Sequence, residues 1–413
     1  MTTLGEYIKV QGGYAYKSKD FIEFSKNKVL KIKNVRFGTI DYAEPAYVSD
    51  EIAESTKNWK VKEGDVLISM TGSGPNAPQS LVGRVARVWK NEPDAWINQR
   101  VGRICLLDED SVHLDFIFYW LSLPQSQDYL VSNSSGSANQ ANISGKTIES
   151  LPCPKVDYQT SKQIADLARK FDEKVILNSK TNQTLEEMAQ AIFKSWFVDF
   201  DPVKAKMNGE QPEGMDEATA SLFPEKLVES ELGLIPEGWE PKQLKDILEL
   251  AYGKALKKTD RVEGDVPVYG SGGLTGYHNQ SLVEGPGIIV GRKGTVGSVY
   301  WEPKSFYPID TVFYVKPKAG YSLKYCHLVL QNLGLKNMNT DAAVPGLNRN
   351  NAYRLDVIIP NEAVLDKFNI IMQSFQLLID ANNAQNTNLS LLRDTLLPEL
   401  LSGKIFNTVT KEG

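Results

Sequence analysis

The chain has 413 residues, of which 41% are hydrophobic and 23% are charged. These values are ordinary for a folded protein of two or three domains. No apolar run approaches the roughly 20 residues of a membrane helix, and the N-terminus lacks the apolar core of a signal peptide. Cys105, Cys153 and Cys326 form no CxxC motif, and the three histidines show no metal-ligand spacing. This pattern predicts a cytoplasmic protein without a disulfide scaffold or a metal site.

Charge is unevenly distributed along the chain, whose formal net charge is −5. Residues 1–157 carry 18 basic and 19 acidic side chains, and residues 235–361 carry 15 and 12. Residues 199–234 carry 3 basic and 9 acidic side chains. The acidity is therefore concentrated in one short segment, and neither flanking region has the strongly basic character that is typical of nucleic-acid binding.

Residues 1–157 are predicted to form a β-rich globular domain. Short β-branched and aromatic runs such as VLISM, RVARVW and RVGRICLL are separated by Gly, Pro, Asn and Ser. This alternation is typical of strands joined by turns. A short helix is expected within residues 113–132.

A long amphipathic helix is predicted from Gln163 to Phe197, inside the segment 158–198. At 1.5 Å per residue it would span roughly 50 Å. Apolar or small residues and two asparagines recur at alternating steps of four and three, which is the spacing of a coiled-coil seam whose polar residues fix the register. The ten seam positions are Ile164, Ala168, Phe171, Val175, Asn178, Asn182, Leu185, Ala189, Ile192 and Trp196.

The second half of the chain begins after an acidic stretch. Residues 199–234 contain three prolines and three glycines, and this composition predicts an extended linker. Residues 235–361 are predicted to form a second β-rich domain, with strands in GIIVG, GSVYW and TVFYV and a short helix within 323–335. Residues 362–405 predict a second long helix, and 406–413 a tail.

The two halves repeat each other. Adding 204 to the ten seam numbers gives a second seam in which eight positions keep their chemical class, although Arg393 replaces Ala189. That seam consists of Phe368, Met372, Phe375, Ile379, Asn382, Asn386, Leu389, Arg393, Leu396 and Leu400. Further matches lie upstream, at an offset of 240 for Leu4 with Leu244 and of 221 for Glu63–Ile68 with Glu284–Ile289. Such self-similarity predicts a duplicated fold.

The predicted fold class is α+β, with pseudo-two-fold internal duplication. Two β-rich domains are separated by two long helices that form an antiparallel coiled coil, and the domains are expected at its opposite ends. A spacer of this length suits a DNA reader that contacts two half-sites about one helical turn apart, ~34–36 Å.

The sequence contains no recognisable enzyme motif. Gly291–Ser298 resembles a phosphate-binding loop superficially, but the GxxxxGK[ST] spacing would require glycine at 296 and lysine at 297. There is no Asn/Asp-Pro-Pro-aromatic tetrapeptide of the kind used by amino-methyltransferases. His278 is interpreted as a loop residue near DNA rather than a general base, and Cys153 as a packing residue rather than a nucleophile.

The chain resembles the specificity subunits of type I restriction-modification systems over nearly its whole length. The resemblance depends on Tyr269–Gly273 and Ile288–Gly294, on Asn142-Ile143-Ser144 before Leu151–Pro154, and on Met188–Asp201, Ile235–Trp239 and Leu396–Ile405. It implies a non-catalytic subunit with a first recognition domain (1–157) and a second recognition domain (235–361), each reading half of a bipartite asymmetric DNA site. It also implies that the two helices dock two adenine-methyltransferase subunits, which would bind the cofactor S-adenosylmethionine, and that restriction subunits join through these.

Candidate DNA contacts are polar residues of glycine-rich loops and lysines that follow the matched Gly13 and Gly253, because bases are read by amide, hydroxyl and guanidinium groups and phosphates by cations. In the first recognition domain they are Lys17, Lys19, Thr71, Ser73, Asn76, Ser135, Ser137, Asn139 and Gln140. In the second they are Lys257, Lys258, Ser271, Thr275, Tyr277, His278, Asn279, Arg292, Lys293, Asn348, Arg349 and Asn350.

Two other functions are alternatives to DNA recognition. The near-neutral domains are compatible with a non-catalytic coiled-coil scaffold that binds protein alone. A self-sufficient methyltransferase lacks support because its motifs are missing.

Overall fold

The computed structural model of the chain describes residues 2–74, 82–137, 140–338 and 346–401. The chain divides into two compact units, unit 1 (Met1–Asn178 with Asn383–Gly413) and unit 2 (Ser179–Asn382). Each unit therefore combines one globular domain with about half of each long helix. Among the described residues, no helix is both long and apolar enough to cross a membrane.

Unit 1 contains thirteen strands in its described residues, and its main sheet is antiparallel with the order β2-β10-β6-β8. The strands are β1 (Thr2–Thr3), β2 (Ile8–Gly12), β3 (Phe21–Ile22), β4 (Asn27–Leu30), β5 (Ala46–Val48), β6 (Val66–Ser69), β7 (Thr71–Gly72), β8 (Val85–Arg87), β9 (Ala95–Ile97), β10 (Val101–Leu106), β11 (Ser135–Ser137), β12 (Gln140–Asn142) and β13 (Pro152–Cys153). The helices are α1 (Asp50–Ser55), α2 (Leu114–Ser122), α3 (Pro124–Ser132), α4 (Gly145–Glu149) and α5 (Tyr158–Phe197).

The core of unit 1 lies between this sheet and the helices. All four residues of β6 are buried, because β10 and β8 flank it and both of its faces are covered. Seven residues of α2 are buried, and α2 packs on β8 and β6. The same core includes Ile164 and Ala168 of α5. The first turns of α5 therefore belong to the hydrophobic core of unit 1.

Unit 2 repeats the main sheet with the order β17-β23-β20-β21. The strands are β14 (Leu227–Ser230), β15 (Gly233–Pro236), β16 (Glu240–Gln243), β17 (Leu248–Tyr252), β18 (Val266–Gly270), β19 (Gly273–His278), β20 (Gly287–Gly291), β21 (Val299–Glu302), β22 (Tyr307–Pro308), β23 (Val312–Pro317) and β24 (Asp356–Ile359). The helices are α6 (Asp201–Met207), α7 (Glu217–Ala220), α8 (Leu244–Ile247), α9 (Leu323–Asn332), α10 (Arg349–Tyr353) and α11 (Glu362–Leu401).

The duplication extends to the hydrogen-bonding register. Gly13 N–H donates to the carbonyl of Val101 at 2.9 Å, and Gly253 N–H donates to the carbonyl of Val312 at 3.2 Å. The parallel pair β4–β9 of unit 1 likewise recurs as the parallel pair β18–β22 of unit 2. The predicted α+β fold with internal duplication is confirmed.

The predicted offset of 221 between β6 and β20 is wrong by one residue. Leu67 pairs with Arg103 in unit 1, whereas Ile289 pairs with the equivalent Tyr314 in unit 2, so the structural offset is 222. The error matters because a shift of one residue exchanges the two faces of a strand. With the corrected offset, Ile68 and Val290 both face the core that contains the long helices.

The extended linker predicted for residues 199–234 is also wrong. This segment forms α6, α7 and the hairpin β14–β15. Phe200, Val203 and Phe223 are buried in the core of unit 2, where Trp196 packs edge-to-face on Phe223 with ring centroids 5.0 Å apart. The acidic side chains lie on the outside of a folded segment that is anchored by its few large apolar residues.

The two long helices run antiparallel within each unit. Asn178 of α5 donates from its Nδ2 atom to Oδ1 of Asn386 on α11 at 2.8 Å in unit 1. Asn382 Nδ2 donates to Oδ1 of Asn182 at 2.8 Å in unit 2. Twelve seam positions were singled out from the sequence, and every one is buried or half-buried: Phe171, Val175, Asn178, Asn182, Leu185, Ile192, Phe375, Ile379, Asn382, Asn386, Leu389 and Leu396.

Arg393, which interrupts the second apolar seam, has a partner. Its guanidinium donates to the carboxylate of Asp172 on α5, and the hydroxyl of Tyr119 donates to the other oxygen of Asp172 at 2.7 Å. Asp172 is buried. A buried carboxylate needs a cation and hydrogen bonds, and Arg393 supplies the cation for Asp172. In unit 2 the position of Asp172 is occupied by the uncharged Gln376, so no arginine is needed there.

Candidate nucleic-acid interface

In unit 1 the strand β12 pairs with both β11 and β7. This small sheet brings two of the predicted DNA-contacting loops together. Ser135 and Gln140 are exposed there, and Ser73 is half-buried. Thr71 is buried, and its hydroxyl donates to Oδ1 of Asn142 at 2.7 Å. Thr71 therefore holds the two loops together, and the prediction that it contacts DNA is not supported by its position.

The remaining candidates of unit 1 are scattered. Lys17 and Lys19 are exposed on a short turn between β2 and β3. Ser137 ends the described part of β11, and its side chain is not described. Asn76 and Asn139 lie outside the described residues.

In unit 2 the strand β19 carries a row of exposed candidates. Thr275 and Tyr277 are exposed on this strand, and Asn279 is exposed directly after it. Both terminal nitrogens of Arg261 donate to Thr275, to its carbonyl at 2.8 Å and its hydroxyl at 3.2 Å. Arg261, which sequence reasoning missed, therefore fixes the start of this row.

His278 is the exception on β19. Its ring is buried, Nδ1 accepts a hydrogen bond from the Val262 N–H at 3.0 Å, and the ring packs edge-to-face on Tyr307. The strand alternation that exposes Tyr277 turns its neighbour inward. The prediction that His278 is a loop residue near DNA is therefore wrong. The residue instead packs beneath β19 through its contacts with Val262 and Tyr307.

A third group of candidates meets where β20 ends and α10 begins. Leu347 N–H donates to the carbonyl of Arg292 at 2.8 Å, and Lys293 forms a bridge with Gly346. Asn348 caps α10 by accepting from two backbone N–H groups at 2.9 and 3.2 Å. Its side chain is thereby used in the fold, whereas Lys293 and Asn350 remain exposed.

The last candidates, Lys257, Lys258 and Ser271, differ in exposure. The two lysines are exposed around a short turn after β17. Ser271 is half-buried, and its carbonyl accepts from the hydroxyls of Ser298 at 2.8 Å and Tyr300 at 3.1 Å. These two hydrogen bonds hold the turn after β18 in place.

Three buried groups, Cys153, Cys326 and His327, have strongly shifted pKa values. Burial raises the pKa of the Cys153 and Cys326 thiols to about 12. Burial lowers the pKa of His327 to about 3. These shifts keep all three groups neutral, which suits packing residues and not nucleophiles or bases. Among the described residues, no group of three or more His, Cys, Asp or Glu side chains is arranged to hold a metal ion.

Comparisons with known proteins agree with this architecture. The sequence profile of the type I restriction modification DNA specificity domain matches residues 2–187 and 236–390. The HindI specificity subunit of Haemophilus influenzae is 26% identical over 410 residues, covering 84% of this chain and 87% of that protein. The MjaIX specificity subunit of Methanocaldococcus jannaschii is 24% identical, covering 73% of this chain and 71% of that protein.

A solved structure shares the fold. The S subunit of a type I restriction-modification system from M. genitalium superposes with a TM-score of 0.54 at 18% identity, covering 97% of this chain and 95% of that one. The profile matches twice, once over each globular domain and part of the long helix that follows it, as the duplication requires. The chain belongs to the type I restriction-modification DNA specificity family and is a non-catalytic DNA-recognition subunit.

Proposed function

We propose that this subunit recognises a bipartite, asymmetric DNA site and that each recognition domain reads one half of it. The observation that carries the proposal is the duplicated frame, in which two sheets of equal order and register present different exposed side chains. Equivalent loops on equivalent frames would approach DNA in the same way. Since their polar residues differ, the two half-sites would differ in sequence.

Two adenine-methyltransferase subunits are the proposed partners of the helices, and restriction subunits would join through the assembled complex. The cofactor S-adenosylmethionine would be bound by the methyltransferase subunits, in the cytoplasm. Exposed apolar side chains on α11 support a protein-binding role: within unit 2, Leu377 and Leu378 are 63% and 54% exposed. Neighbouring apolar groups on a helix surface are typical of protein interfaces.

A domain exchange tests the proposal. Residues 235–361 are replaced by the equivalent region of a related specificity subunit, and methylated adenines are mapped in cells that also contain the methyltransferase. We expect one half of the methylated site to change and the other half to stay. The reciprocal exchange of residues 1–157 should change the other half. If both halves changed together in either chimaera, the assignment of one half-site to each domain would be refuted.

A scaffold that binds protein alone predicts a different result. DNA retention on filters is compared for the methyltransferase with and without this chain, using DNA that contains the methylated site and DNA that lacks it. We expect the chain to add preference for the site. Equal retention of both DNAs would favour the scaffold.

A further inference from the structure

Tyr252 at the end of β17 brings two arginines of unit 2 together. The guanidinium carbon of Arg292 lies 4.9 Å from the centroid of the Tyr252 ring, and that of Arg349 lies 4.7 Å from it. Arg292 directly follows β20, whereas Arg349 is the first residue of α10. We call these three residues the arginine corner.

Further contacts hold the arginine corner in place. Arg292 also lies 5.8 Å from the centroid of Phe313, and one of its terminal nitrogens donates to the carbonyl of Asp310 at 3.0 Å. Arg349 also lies 5.8 Å from the centroid of Tyr353, whose hydroxyl accepts from Leu250 N–H at 2.9 Å. Cation–π contacts restrict both side chains before any ligand arrives, and a backbone hydrogen bond further restricts Arg292.

The two charges of the arginine corner are not balanced within the described part of the chain. The ion pairs found there include neither Arg292 nor Arg349, although both side chains are half-buried. The Nε–H of Arg349 is buried without a hydrogen-bond partner. Half-burial reduces the solvation of both guanidinium groups. An anion that accepted hydrogen bonds from them would compensate for that loss.

The described residues of unit 1 that correspond to the arginine corner are Gly12, Met70 and Gly145, which carry neither charges nor an aromatic ring. Gly12 pairs with Gly102 there, as Tyr252 pairs with Phe313 in unit 2. Arg292 corresponds to Met70, because each carbonyl accepts the same backbone hydrogen bond, from Leu347 and from Ile143. Arg349 corresponds to Gly145 at the helix offset of 204. A Cβ atom at Gly12 would meet nothing within 4 Å, so the place that Tyr252 fills in unit 2 is open in unit 1.

We propose that the arginine corner binds a backbone phosphate of DNA next to the second half-site. The inference rests on the proposed function, since it assumes that this domain faces DNA. Arginine presents a fork of N–H donors that matches phosphate oxygens, and phosphate contacts position a protein on DNA without reading its sequence. Lys293 directly follows Arg292 in the chain, Asn350 directly follows Arg349, and both side chains are exposed. The glycines of unit 1 provide no such contact at the matching position.

The test uses the full chain assembled with its methyltransferase subunits and a DNA duplex that contains the methylated site. Affinity is measured at several salt concentrations for wild type and for the double variant R292Q/R349Q. We expect an affinity loss of about tenfold or more at low salt, and a salt slope smaller by about 0.9 for the lost phosphate contact. The sequence preference, measured on duplexes with single base changes in each half-site, should be unchanged.

Matched variants separate the corner from general charge effects. The control K316Q/K318Q also removes two positive charges from unit 2, but from the far end of β23, where both lysines are exposed. It should change the affinity much less. Tyr252→Phe keeps the ring and should behave as wild type, whereas Tyr252→Leu removes the stacking and should weaken binding. Urea unfolding of each variant checks that unit 2 is intact.

Three results would overturn the inference. Unchanged affinity and slope in R292Q/R349Q would show that the corner does not touch DNA. A relaxed preference at one base pair would mean that the arginines read a base. An equal loss in K316Q/K318Q would mean that overall charge is responsible. Failure of the proposed function is distinguishable, because the wild-type complex itself would then show no preference for the site.

Discussion

We expect the buried carboxylate of Asp115 to contribute strongly to the free energy of unfolding of unit 1. Its carboxylate accepts from Nε of Arg87 on β8 at 2.7 Å and from Nη1 of Arg169 on α5 at 3.0 Å. The Asp115 side chain is 4% exposed and that of Arg87 is 11% exposed. One carboxylate on α2 therefore ties a strand of the first recognition domain to the long helix.

Replacing Asp115 by alanine leaves the cations without their shared partner. Removing one member of a buried ion pair typically costs about 3–5 kcal/mol. Arg169 is 29% exposed and retains carboxylate partners on its own helix, so it can be solvated or paired again. Arg87 has neither option to the same degree. We therefore expect a loss near the lower end, about 3 kcal/mol in the free energy of unfolding unit 1.

Hydrogen exchange of the full chain measures this loss unit by unit. A destabilisation of about 3 kcal/mol should speed exchange in α2 and β8 by roughly 100-fold where those amides exchange through opening of the unit. Amides of α9 in unit 2 should be unaffected. The double variant R87M/D115L, which replaces the pair by apolar groups, should recover most of the lost protection.

Unit 2 provides the matched control. At the places of Asp115 and Arg87 it has Lys324 and Trp301, with the Lys324 ammonium 5.0 Å from the indole centroid. Such a contact contributes about 0.5–2 kcal/mol, so K324A should speed exchange in unit 2 much less than D115A does in unit 1. Exchange in D115A within a factor of two of wild type would refute the reasoning, because it would mean that Arg87 is satisfied without Asp115.

The stability of unit 2 should fall at acid pH, since His327 is neutral when folded with a pKa lowered to about 3, while an unfolded histidine titrates near 6.5. Because the unfolded state then binds more protons below pH 6.5, the free energy of unfolding falls between about pH 6.5 and 3, and the loss amounts to about 2 kcal/mol by pH 5. Urea unfolding at pH 7 and pH 5 measures this loss. An equal pH dependence in the His327→Leu variant would contradict the prediction. Replacing the hydrogen-bonded pair Asn178 and Asn386 by leucine should raise the urea midpoint of unit 1 but weaken the preference for the intramolecular pairing, because apolar seam residues tolerate other registers and partners; the appearance of dimers in size-exclusion chromatography checks this, and a lower midpoint would count against it.

The features that could be predicted from the sequence are those with local periodicity. The heptad spacing located both long helices and the four seam asparagines, because burial of one helix face imposes a repeat that a single segment reveals. The structure pairs these asparagines as Asn178–Asn386 and Asn182–Asn382. The constant offset of 204 indicated the duplication. The first long helix, α5, spans Tyr158–Phe197, in agreement with the predicted segment 158–198. Its amphipathic pattern is recognisable only from Gln163, because helix ends are weakly encoded in periodicity.

The features that were missed depend on contacts between distant segments. Acidic composition made residues 199–234 look extended, yet Phe200 and Phe223 anchor that segment in a core that also includes distant residues such as Tyr325 and Phe368. The offset error between β6 and β20 had the same origin, since two short apolar strands match almost equally well at either of two registers until their partner strands decide.

The candidate interface was likewise predictable in part. Polar and glycine-rich composition drew attention to the loops that contain Lys293 and Asn350, both of which are exposed. Composition could not show that Thr71 and His278 point inward, because strand alternation and neighbouring strands determine burial. Nor could it single out Tyr252, an ordinary strand residue by sequence, whose importance arises where the end of β17 meets two arginines that lie 40 and 97 positions further along the chain. The sequence by itself determined the duplicated plan and the seams, and only the tertiary structure decided which of its polar side chains meet, since those meetings join segments that no local pattern connects.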